Sequence, residues 1–214
     1  MKLDSLFRSG TSHRLRIALN LKGLAHDVEA VDLRREQHLS ADYKAVHPQG
    51  MVPALQTDGD DGPLIQSPAI FEWLEERHPQ PPPLPAALAG RARVRALAAI
   101  VGCDIHPVNN RRILEALRHA FDADEAAVNR WCATWIGAGF DAIEVMLAAD
   151  PQRGDFCFGH TPTLADVYLV PQVESARRFK VDIGRWPLIE AVDAACARLA
   201  AFRDAAPAAQ PDAG

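Results

Sequence analysis

A proline-rich segment divides this chain into two halves whose apolar residues repeat with different spacings. The segment, Pro79-Gln80-Pro81-Pro82-Pro83-Leu84-Pro85, favours extended backbone and can continue neither a helix nor a sheet. Before it, short apolar runs alternate with turn residues. After it, apolar residues recur at spacings of three and four, which is typical of amphipathic helices. The pattern predicts a mixed α/β domain at residues 1–79 and an all-helical domain at residues 88–214.

The first half follows the order β-α-β and then β-β-α. Such an order predicts a mixed sheet with helices packed on it, and the Gly59-Asp60-Asp61-Gly62-Pro63 sequence predicts a hairpin turn between the last two strands. Strands are predicted at residues 3–7, 28–31, 52–56 and 64–66, and helices at residues 12–22 and 67–77.

The second half is predicted to be helical throughout. One long helix, kinked at Pro107, follows from the spacing of Val94, Leu97, Val101, Ile105 and Val108. A second helix is predicted at residues 124–147. Thr163 and Asp166 form a capping-box pattern that opens a third helix, and Pro187 begins a fourth. The small residues and prolines of 205–214 predict a frayed tail.

Hydroxyl groups are concentrated where the first strand is expected to turn into the first helix. Ser9, Thr11 and Ser12 lie in the run Arg8-Ser9-Gly10-Thr11-Ser12-His13-Arg14-Leu15-Arg16-Ile17. A helix N-terminus offers free N–H groups and a partial positive charge, which suit an anion such as a thiolate. Ordinary capping by Ser12 explains the same residues without any ligand.

A second motif, His47-Pro48-Gln49-Gly50-Met51-Val52-Pro53-Ala54-Leu55, places a proline at the entrance of a strand. The proline can turn the backbone of Val52 outward, especially if the Val52–Pro53 bond is cis, so that Val52 pairs with an extended peptide. An edge-strand proline with no ligand is the alternative.

The third motif, Gln66-Ser67-Pro68-Ala69-Ile70, begins a predicted helix. Ser67 suits the N-cap and Pro68 the first helical position, which explains the pair structurally. Gln66, Ser67 and the following N–H groups would also hold a carboxylate. The three motifs together suit a short, negatively charged peptide that carries a thiol.

Composition narrows the classes of function. The net charge of −5 argues against general nucleic-acid binding, no apolar run is long enough to cross a membrane, and the N-terminus does not have the pattern of a secretory signal. The four cysteines form no C-x-x-C pair, so no metal site is expected, and buried free thiols in the cytoplasm are the simplest interpretation.

Taken together, these motifs resemble those of the glutathione transferase superfamily. The Ser-x-x-Ser-x-Arg-x-Arg-Ile-Ala-Leu pattern at residues 9–19 is similar to the zeta class in particular, and the Val-Pro and Gln-Ser-Pro-Ala-Ile motifs agree with it. Residues 102–112 and 173–178 are similar to bacterial maleylpyruvate isomerases of that class. The resemblance covers nearly the whole chain, and it implies a thioredoxin-like N-terminal domain, an all-α C-terminal domain and a homodimer.

The resemblance also implies roles for individual residues. Around glutathione it places Ser9, Gly10 and Thr11 at the sulfur, Val52 at the cysteinyl backbone, Gln66 and Ser67 at the γ-glutamyl carboxylate, and His38 and Gln49 near the glycyl end. The chain departs from the family pattern in three ways, the first of which is Asp4 in a first strand that is usually aromatic or apolar. It lacks the cysteine of the Ser-Ser-Cys pattern, and Met51 replaces a frequent glutamine.

In the helical half, the resemblance implies a second site with arginines that bind carboxylates. His106 and Asn110 are four residues apart, which puts them on one face if the helix is continuous, and helical spacing favours Arg111 over Arg112. His106 is interpreted as a hydrogen-bond partner of glutathione, with a general base as the alternative. Arg8 and Arg178 complete the set, and Arg178 is preferred to Arg177 by resemblance alone. Solvent exposure at helix ends is the alternative for these arginines.

The implied reaction is a glutathione-dependent cis–trans isomerisation of maleylpyruvate to fumarylpyruvate. Glutathione acts as a cofactor, and the substrate is a small dicarboxylate. Three alternatives stay open: a maleylacetoacetate isomerase, a transferase that conjugates glutathione to electrophiles, and a non-catalytic binding module that keeps the fold. The catalytic residues implied are Arg8, Ser9, Thr11, Arg111 and Arg178.

Overall fold

In the computed structural model, which describes residues 1–59 and 62–213, the first half of the chain folds around a four-stranded sheet. The strand order is β2-β1-β3-β4. β1 pairs parallel with β2 and antiparallel with β3, and β3 pairs antiparallel with β4. The predicted mixed sheet is confirmed, whereas the predicted turn at 59–63 includes two residues that lie outside the described part. The strands are β1 (Lys2–Ser5), β2 (Asp27–Ala30), β3 (Ala54–Gln56) and β4 (Pro63–Ile65).

Helices account for most of the remaining structure. A π-helical segment (Ile100–Ile105) and a 3₁₀ turn (Pro107–Asn109) stand between the fourth and fifth α-helices. The α-helices, in chain order, are α1 (Gly10–Leu21), α2 (Ala41–Val46), α3 (Ser67–Arg77), α4 (Leu88–Ala99), α5 (Arg111–Ala120), α6 (Glu125–Ala148), α7 (Leu164–Arg178), α8 (Pro187–Ala197) and α9 (Ala200–Arg203).

The chain forms two compact units, and the first is built from two separate stretches of sequence. It combines Met1–Pro82 with the chain from Leu199 onward, while Pro83–Arg198 forms the second unit. We call residues 199–213 the tail. The prediction that residues 205–214 are frayed is wrong for the described residues, because Ala205 and Gln210 are buried. Helix α9 of the tail packs against α1, so the tail belongs to the core of the first unit.

Helix α1 is the central helix of the first unit. All eight residues from 12 to 19 are buried, and the helix contacts both α3 and α9. Its N-cap is Ser9, whose backbone is extended and whose Oγ accepts a hydrogen bond from the N–H of Ser12. The prediction that Ser12 is the cap is therefore wrong, since Ser12 already lies inside the helix.

The start of α3 differs from its prediction by one residue. Gln66 is the N-cap, with a left-handed φ of 66° and no side-chain cap, so that Ser67 is the first helical residue and Pro68 the second. Ser67 therefore does not cap the helix. Both ends of the predicted helix at residues 67–77 are confirmed.

Sequence patterns did not predict α2. Its signal is short: Ser40 caps the helix by accepting a hydrogen bond from the N–H of Tyr43, and Asp42 places a negative charge in the first turn. Tyr43 is buried and donates its hydroxyl hydrogen to the carbonyl of Met51 at 2.8 Å. The helix thereby fixes the backbone just before Val52.

The second unit confirms most of the helical pattern. The capping box of Thr163 and Asp166 is present, and Asp166 accepts hydrogen bonds from the N–H of Thr163 at 2.7 Å and the N–H of Cys157 at 2.8 Å. Pro187 begins α8, whose first N–H groups donate to the carboxylate of Glu144. Trp186 is buried against Phe140, with ring centroids 5.2 Å apart.

The long helix predicted through Val94 and Val108 is wrong beyond Ala99. It passes into the π-helical segment and then into the 3₁₀ turn that begins at Pro107. Proline has no N–H to continue the helical ladder, which accounts for the end of the π-helical segment just before Pro107. The neighbouring α6 approaches this segment closely at Gly139, where a Cβ would lie 2.3 Å from the side chain of Ile105.

We predict that His13 makes the protein sensitive to acid. Its ring is buried beside Arg14 and Arg16, and its Nε2 makes no hydrogen bond within the described residues. Burial, reinforced by the two arginines, lowers the pKa of His13 from 6.5 to about 3. Between these pH values the unfolded chain binds a proton that the folded chain does not. Stability is therefore lost as the pH falls below 6.5, by about 2 kcal/mol between pH 6.5 and 5.

Urea denaturation at several pH values tests this prediction. His13→Gln should reduce the slope of the unfolding free energy against pH, by the amount that corresponds to about one proton bound by the unfolded chain. His119→Gln, whose side chain is 79% exposed, is the control and should leave that dependence unchanged. Equal pH dependence in wild type and His13→Gln would contradict the prediction.

Candidate functional site

The hydroxyl groups of the first motif meet the backbone of the second motif. Because β1 and β3 run antiparallel with Asp4 opposite Ala54, residues that follow β1 lie beside residues that precede β3. Thr11 Oγ1 donates to the carbonyl of Val52 at 3.1 Å and lies 3.0 Å from Ser9 Oγ. A hydroxyl has one hydrogen, so while Thr11 donates to Val52, Ser9 is the donor to Thr11.

Ser9, Gly10 and Thr11 together form the N-terminus of α1. Ser9 is the cap, and Gly10 and Thr11 are the first two helical residues. Amide N–H groups in the first turn have no partner within their helix, and the helix dipole adds a partial positive charge. The turn therefore presents hydroxyl and amide donors together at a site that favours an anion.

Val52 lies two residues before the strand β3, which begins at Ala54 and not at residue 52 as predicted. The Val52–Pro53 bond is cis, as the second motif allowed, and Pro53 is buried while Val52 is half-buried. The backbone of Val52 is held from both sides: Thr11 binds its carbonyl, and Tyr43 binds the carbonyl of the preceding Met51. One lone pair of the Val52 carbonyl is thus already used within the protein.

The third motif contacts the second through a pair of amides. Gln66 Nε2 donates to Gln49 Oε1, and both side chains are exposed, while Ser67 is buried with 4% exposure. Sequence analysis assigned Gln49 and Gln66 to different parts of the ligand, but the structure places their side chains in direct contact. Ser67 lies at the N-terminus of α3, where unpaired N–H groups again favour an anion.

His38 lies beside the same motif. It belongs to a 3₁₀ turn (Gln37–Leu39) that packs against Gly50, which has a left-handed φ of 59°. A Cβ on Gly50 would lie 2.7 Å from the carbonyl oxygen of His38, so only glycine fits both the backbone conformation and the space. The close approach fixes His38 next to the loop that carries Gln49.

Arg8 immediately precedes the N-cap of α1. Its side chain is exposed, and its guanidinium lies 5.8 Å from the centroid of the Phe7 ring. The residue is therefore placed by the same turn that places Ser9.

In the second unit, His106, Asn110 and Arg111 follow the π-helical segment. The expectation that His106 and Asn110 share one helix face is wrong, because the 3₁₀ turn lies between them and Asn110 has an extended backbone. Asn110 is the N-cap of α5, and its Oδ1 accepts from the N–H of Arg112 at 3.0 Å. Arg111, the first residue of α5, is exposed and has its Nε 3.8 Å from Glu115 Oε1.

Two arginines end α7, and they have different surroundings. Arg177 forms an ion pair with Asp193 on α8. Arg178 is exposed, stacks 4.8 Å from the centroid of Phe179 and donates to Ser175 Oγ at 3.4 Å. The positive charge of Arg177 is therefore balanced by Asp193 within the second unit.

The cysteines are placed nearly as expected. Cys132, Cys157 and Cys196 are buried free thiols, but Cys103 is exposed, so the expectation of burial fails for that residue. Burial raises the pKa of Cys132 to about 11 and that of Cys157 well above its usual range. These two buried thiols are therefore protonated at neutral pH and are not nucleophiles.

The described part of the chain contains neither a candidate metal site nor a candidate membrane span. Within residues 1–59 and 62–213, no three or more His, Cys, Asp and Glu side chains are grouped so that they could hold a metal ion. Across the same part of the chain, no helix combines the length and apolar character that a membrane span requires.

Sequence reasoning missed two residues that support the turn and the strand. Tyr43 lies on the unpredicted α2, and Arg16 lies on the buried face of α1, where its guanidinium binds backbone carbonyls of the turn. An arginine within an apolar helix segment, such as Arg16 between Leu15 and Ile17, is the one signal that the sequence offered.

Comparison with known proteins gives a consistent result. Residues 8–77 match the family model for the N-terminal domain of glutathione S-transferases. Over 212 residues, the chain is 68% identical to a maleylpyruvate isomerase of Ralstonia sp, with 99% of each chain covered.

Solved structures show the same similarity across the whole chain. A structure described as holo maleyl pyruvate isomerase, a bacterial glutathione S-transferase of the zeta class, aligns with a TM-score of 0.97 at 67% identity, and all of both chains is covered. A maleylacetoacetate isomerase of Methylobacterium extorquens AM1, solved with bound malonate and glutathione, aligns with a TM-score of 0.95 at 34% identity, again over all of both chains.

Proposed function

The chain belongs to the glutathione S-transferase family, in the group of maleylpyruvate and maleylacetoacetate isomerases, and we propose that it is a glutathione-dependent cis–trans isomerase that converts maleylpyruvate to fumarylpyruvate. One structural observation carries this proposal: the hydrogen-bonded chain Ser9–Thr11–Val52 at the N-terminus of α1. It joins donors for a thiolate to a backbone site for a peptide, as glutathione requires.

Glutathione supplies, when bound, a thiolate that adds reversibly to the cis double bond and leaves a rotatable single bond. The protein must lower the pKa of that thiol, place the substrate against it and stabilise the negative charge that develops on the substrate. No electrons are gained or lost overall. The chain needs no nucleophilic cysteine of its own, which agrees with the protonated state of Cys132 and Cys157.

Ser9 is proposed as the hydroxyl that donates to the sulfur. The hydrogen of Thr11 is directed to the Val52 carbonyl, whereas the hydrogen of Ser9 is directed to Thr11, which is a second hydroxyl. Rotation of the Ser9 hydroxyl towards a thiolate exchanges a neutral hydrogen bond for a stronger, charge-assisted one. Thr11 is accordingly proposed to position Ser9 and Val52, and Gly10 contributes its backbone N–H.

The remaining glutathione contacts are proposed by position. Val52 pairs with the cysteinyl backbone through its N–H and its remaining lone pair. Gln66 and Ser67 hold the γ-glutamyl carboxylate at the N-terminus of α3, and His38 and Gln49 lie near the glycyl end. From the second unit, His106 and Asn110 are proposed as hydrogen-bond partners of glutathione.

Arg8, Arg111 and Arg178 are proposed to bind the carboxylates and the developing negative charge of the substrate. A protein with a net charge of −5 needs local positive charge to attract a dianion. Arginine binds carboxylates in a bidentate manner. The ion pair of Arg177 with Asp193 supports the choice of Arg178 instead of Arg177.

Maleylpyruvate is preferred to maleylacetoacetate as the substrate. The preference rests on 68% identity with a maleylpyruvate isomerase, compared with 49% for a maleylacetoacetate isomerase of Pseudomonas aeruginosa and 34% for that of Methylobacterium extorquens. The malonate in the Methylobacterium structure is a dicarboxylate bound together with glutathione, which supports a dicarboxylate substrate of either kind. We also propose a cytoplasmic homodimer, in keeping with the family resemblance and with the buried free thiols.

The proposed function predicts that glutathione is used catalytically. Maleylpyruvate and maleylacetoacetate should be supplied in parallel, with glutathione absent, substoichiometric or in excess, and isomerisation should be followed by absorbance. Substoichiometric glutathione should support many turnovers, with maleylpyruvate the faster substrate. If one glutathione is consumed per product, the protein is a conjugating transferase. If maleylacetoacetate reacts faster, the preferred substrate is wrong.

Substitutions of Ser9 and of Thr11 should have different effects on bound glutathione. Ser9→Ala should raise the thiol pKa of bound glutathione by about one to two units, because a hydrogen bond to a charged group contributes about 1.5–3 kcal/mol. Thr11→Val should raise the thiol pKa less and should weaken glutathione binding. Thr11→Ser should keep the thiol pKa and the affinity for glutathione close to those of the wild type. The pH dependence of kcat gives the pKa, and thermal unfolding detects loss of the Ser9 cap. Unchanged pH profiles in Ser9→Ala and Thr11→Val would exclude the turn from the mechanism.

Substitution of each proposed arginine should lower kcat/KM for the substrate more than it lowers the affinity for glutathione. Arg8→Met, Arg111→Met and Arg178→Met should each lower kcat/KM roughly 100-fold, if a charged hydrogen bond worth about 3 kcal/mol is lost in the transition state. Arg112→Met, an exposed neighbour on α5, is the control and should change little. A variant that loses glutathione affinity but keeps its turnover would place that arginine at the cofactor. Normal kinetics in all three would make them surface charges.

A further inference from the structure

Leu6 and Phe7 lie between β1 and residues 8–11, which we call the thiol turn, and one of the groups that hold them is distant in sequence. Phe7 donates its N–H to Asp212 Oδ2 at 2.9 Å, and its carbonyl accepts from Arg16 Nη2 at 2.8 Å. The carbonyl of Leu6 accepts from the N–H of Ser9 at 3.0 Å. Both ends of the Phe7 backbone are therefore fixed by side chains, and one of these side chains belongs to the tail.

Arg16 also connects the turn to the tail. Its Nε donates to the carbonyl of Ala205 and its Nη1 to Ser5 Oγ, both at 2.9 Å, and the residue is only 1% exposed. Burial lowers the pKa of Arg16 to about 10, and the negative charge of Asp212 opposes that shift. The guanidinium consequently stays charged at neutral pH and keeps its fork of hydrogen bonds.

We propose that the tail is a positioning element for the thiol turn and that Asp212 is a positioning residue acting through the backbone of Phe7. The inference rests on the proposed function, because it assumes that Ser9 faces a thiolate. Asp212 touches neither the substrate nor the sulfur in this account. It fixes the peptide from which Arg8 and Ser9 extend.

If the Asp212 carboxylate acts by holding the turn, its removal should raise the thiol pKa. If it acts through its charge alone, its removal should lower that pKa. A negative charge near the turn, acting through space, raises the pKa of a thiol, so its removal should lower that pKa. A hydrogen bond that holds the turn has the opposite effect, because its loss lets the Ser9 hydroxyl drift from the sulfur and weakens a distance-sensitive, charge-assisted bond. The sign of the change in thiol pKa therefore distinguishes the two roles.

Four full-length variants test the proposal. Asp212→Ala removes both charge and acceptor, Asp212→Asn keeps an acceptor without the charge, and Asp212→Glu keeps the charge but displaces the carboxylate. Asp204→Ala, an exposed carboxylate of the same tail, is the matched control. The ultraviolet absorbance of the thiolate in the complex with glutathione alone gives the thiol pKa as a function of pH, and kcat is measured separately.

Asp212→Ala should raise the thiol pKa by about one unit and lower kcat about tenfold, since one unit corresponds to a tenfold change in the equilibrium. Asp212→Glu should raise the pKa by less, and Asp212→Asn and Asp204→Ala should not raise it. If Asp212→Ala does not fold, Asp212→Glu carries the same test. A thiol pKa that falls in both Asp212→Ala and Asp212→Asn, or that is unchanged in Asp212→Ala and Asp212→Glu, overturns the proposal.

The thiol pKa in the complex with glutathione does not depend on the choice of substrate. A wild-type protein that binds glutathione as the thiolate but isomerises neither maleylpyruvate nor maleylacetoacetate would contradict the proposed reaction and leave the positioning test intact. An isomerase in which Asp212→Ala behaves as Asp204→Ala would keep the proposed function and reject the role of the tail.

Discussion

The turn between β1 and α1 hides backbone polar groups from water, and each of these groups needs a partner. Leu6 and Phe7 lie beyond the end of the strand and before the first helical residue, so neither the sheet nor the helix supplies those partners. The N–H of Ser9 binds the Leu6 carbonyl. Side chains supply the other partners, from Ser12 and Arg16 on α1 and from Asp212 in the tail. Much of the unusual polarity of α1 follows from this requirement.

A second requirement joins the three motifs. Sheet pairing brings the end of β1 next to the entrance of β3, but pairing alone leaves the side chains of the turn and the Val52 loop unconnected. The bond from Thr11 to the Val52 carbonyl makes that connection, and the amide pair of Gln49 and Gln66 adds the third motif. The candidate site is therefore a set of mutual side-chain contacts built on the sheet.

Much of the fold could be predicted from the sequence, for identifiable reasons. The mixed sheet follows from short apolar runs separated by turn residues, α6 from a long helical pattern, and the Thr163–Asp166 box from a local cap. Motifs carried by consecutive residues were found for the same reason, and the structure brings Ser9, Thr11 and Val52 together. Contacts such as Thr11 with Val52 or Gln49 with Gln66 depend on strand register, which no local pattern encodes.

Other features of the structure have no signal in the local sequence pattern. Pro107 predicts a kink, but no local pattern predicts the π-helical segment before it, which lies against α6 at Gly139. The cap of α1 lies at Ser9 because the chain direction changes there, and Ser12 has the same chemistry without that backbone conformation. The tail looked frayed because its composition is poor in large apolar groups, yet the carbonyl of Ala205 is the partner of a buried arginine.

The connectivity of the first unit has a consequence for synthesis on the ribosome. Arg16 and Ala205 are separated by 189 residues, and the whole of the second unit lies between them. A chain emerging from its N-terminus can complete Pro83–Arg198 before the tail has been made, whereas α1 can contact α9 and the Ala205 carbonyl only afterwards. Arg16 in such a nascent chain has one of its hydrogen-bond partners missing. The thiol turn therefore reaches its full set of hydrogen bonds only after the tail has been synthesised.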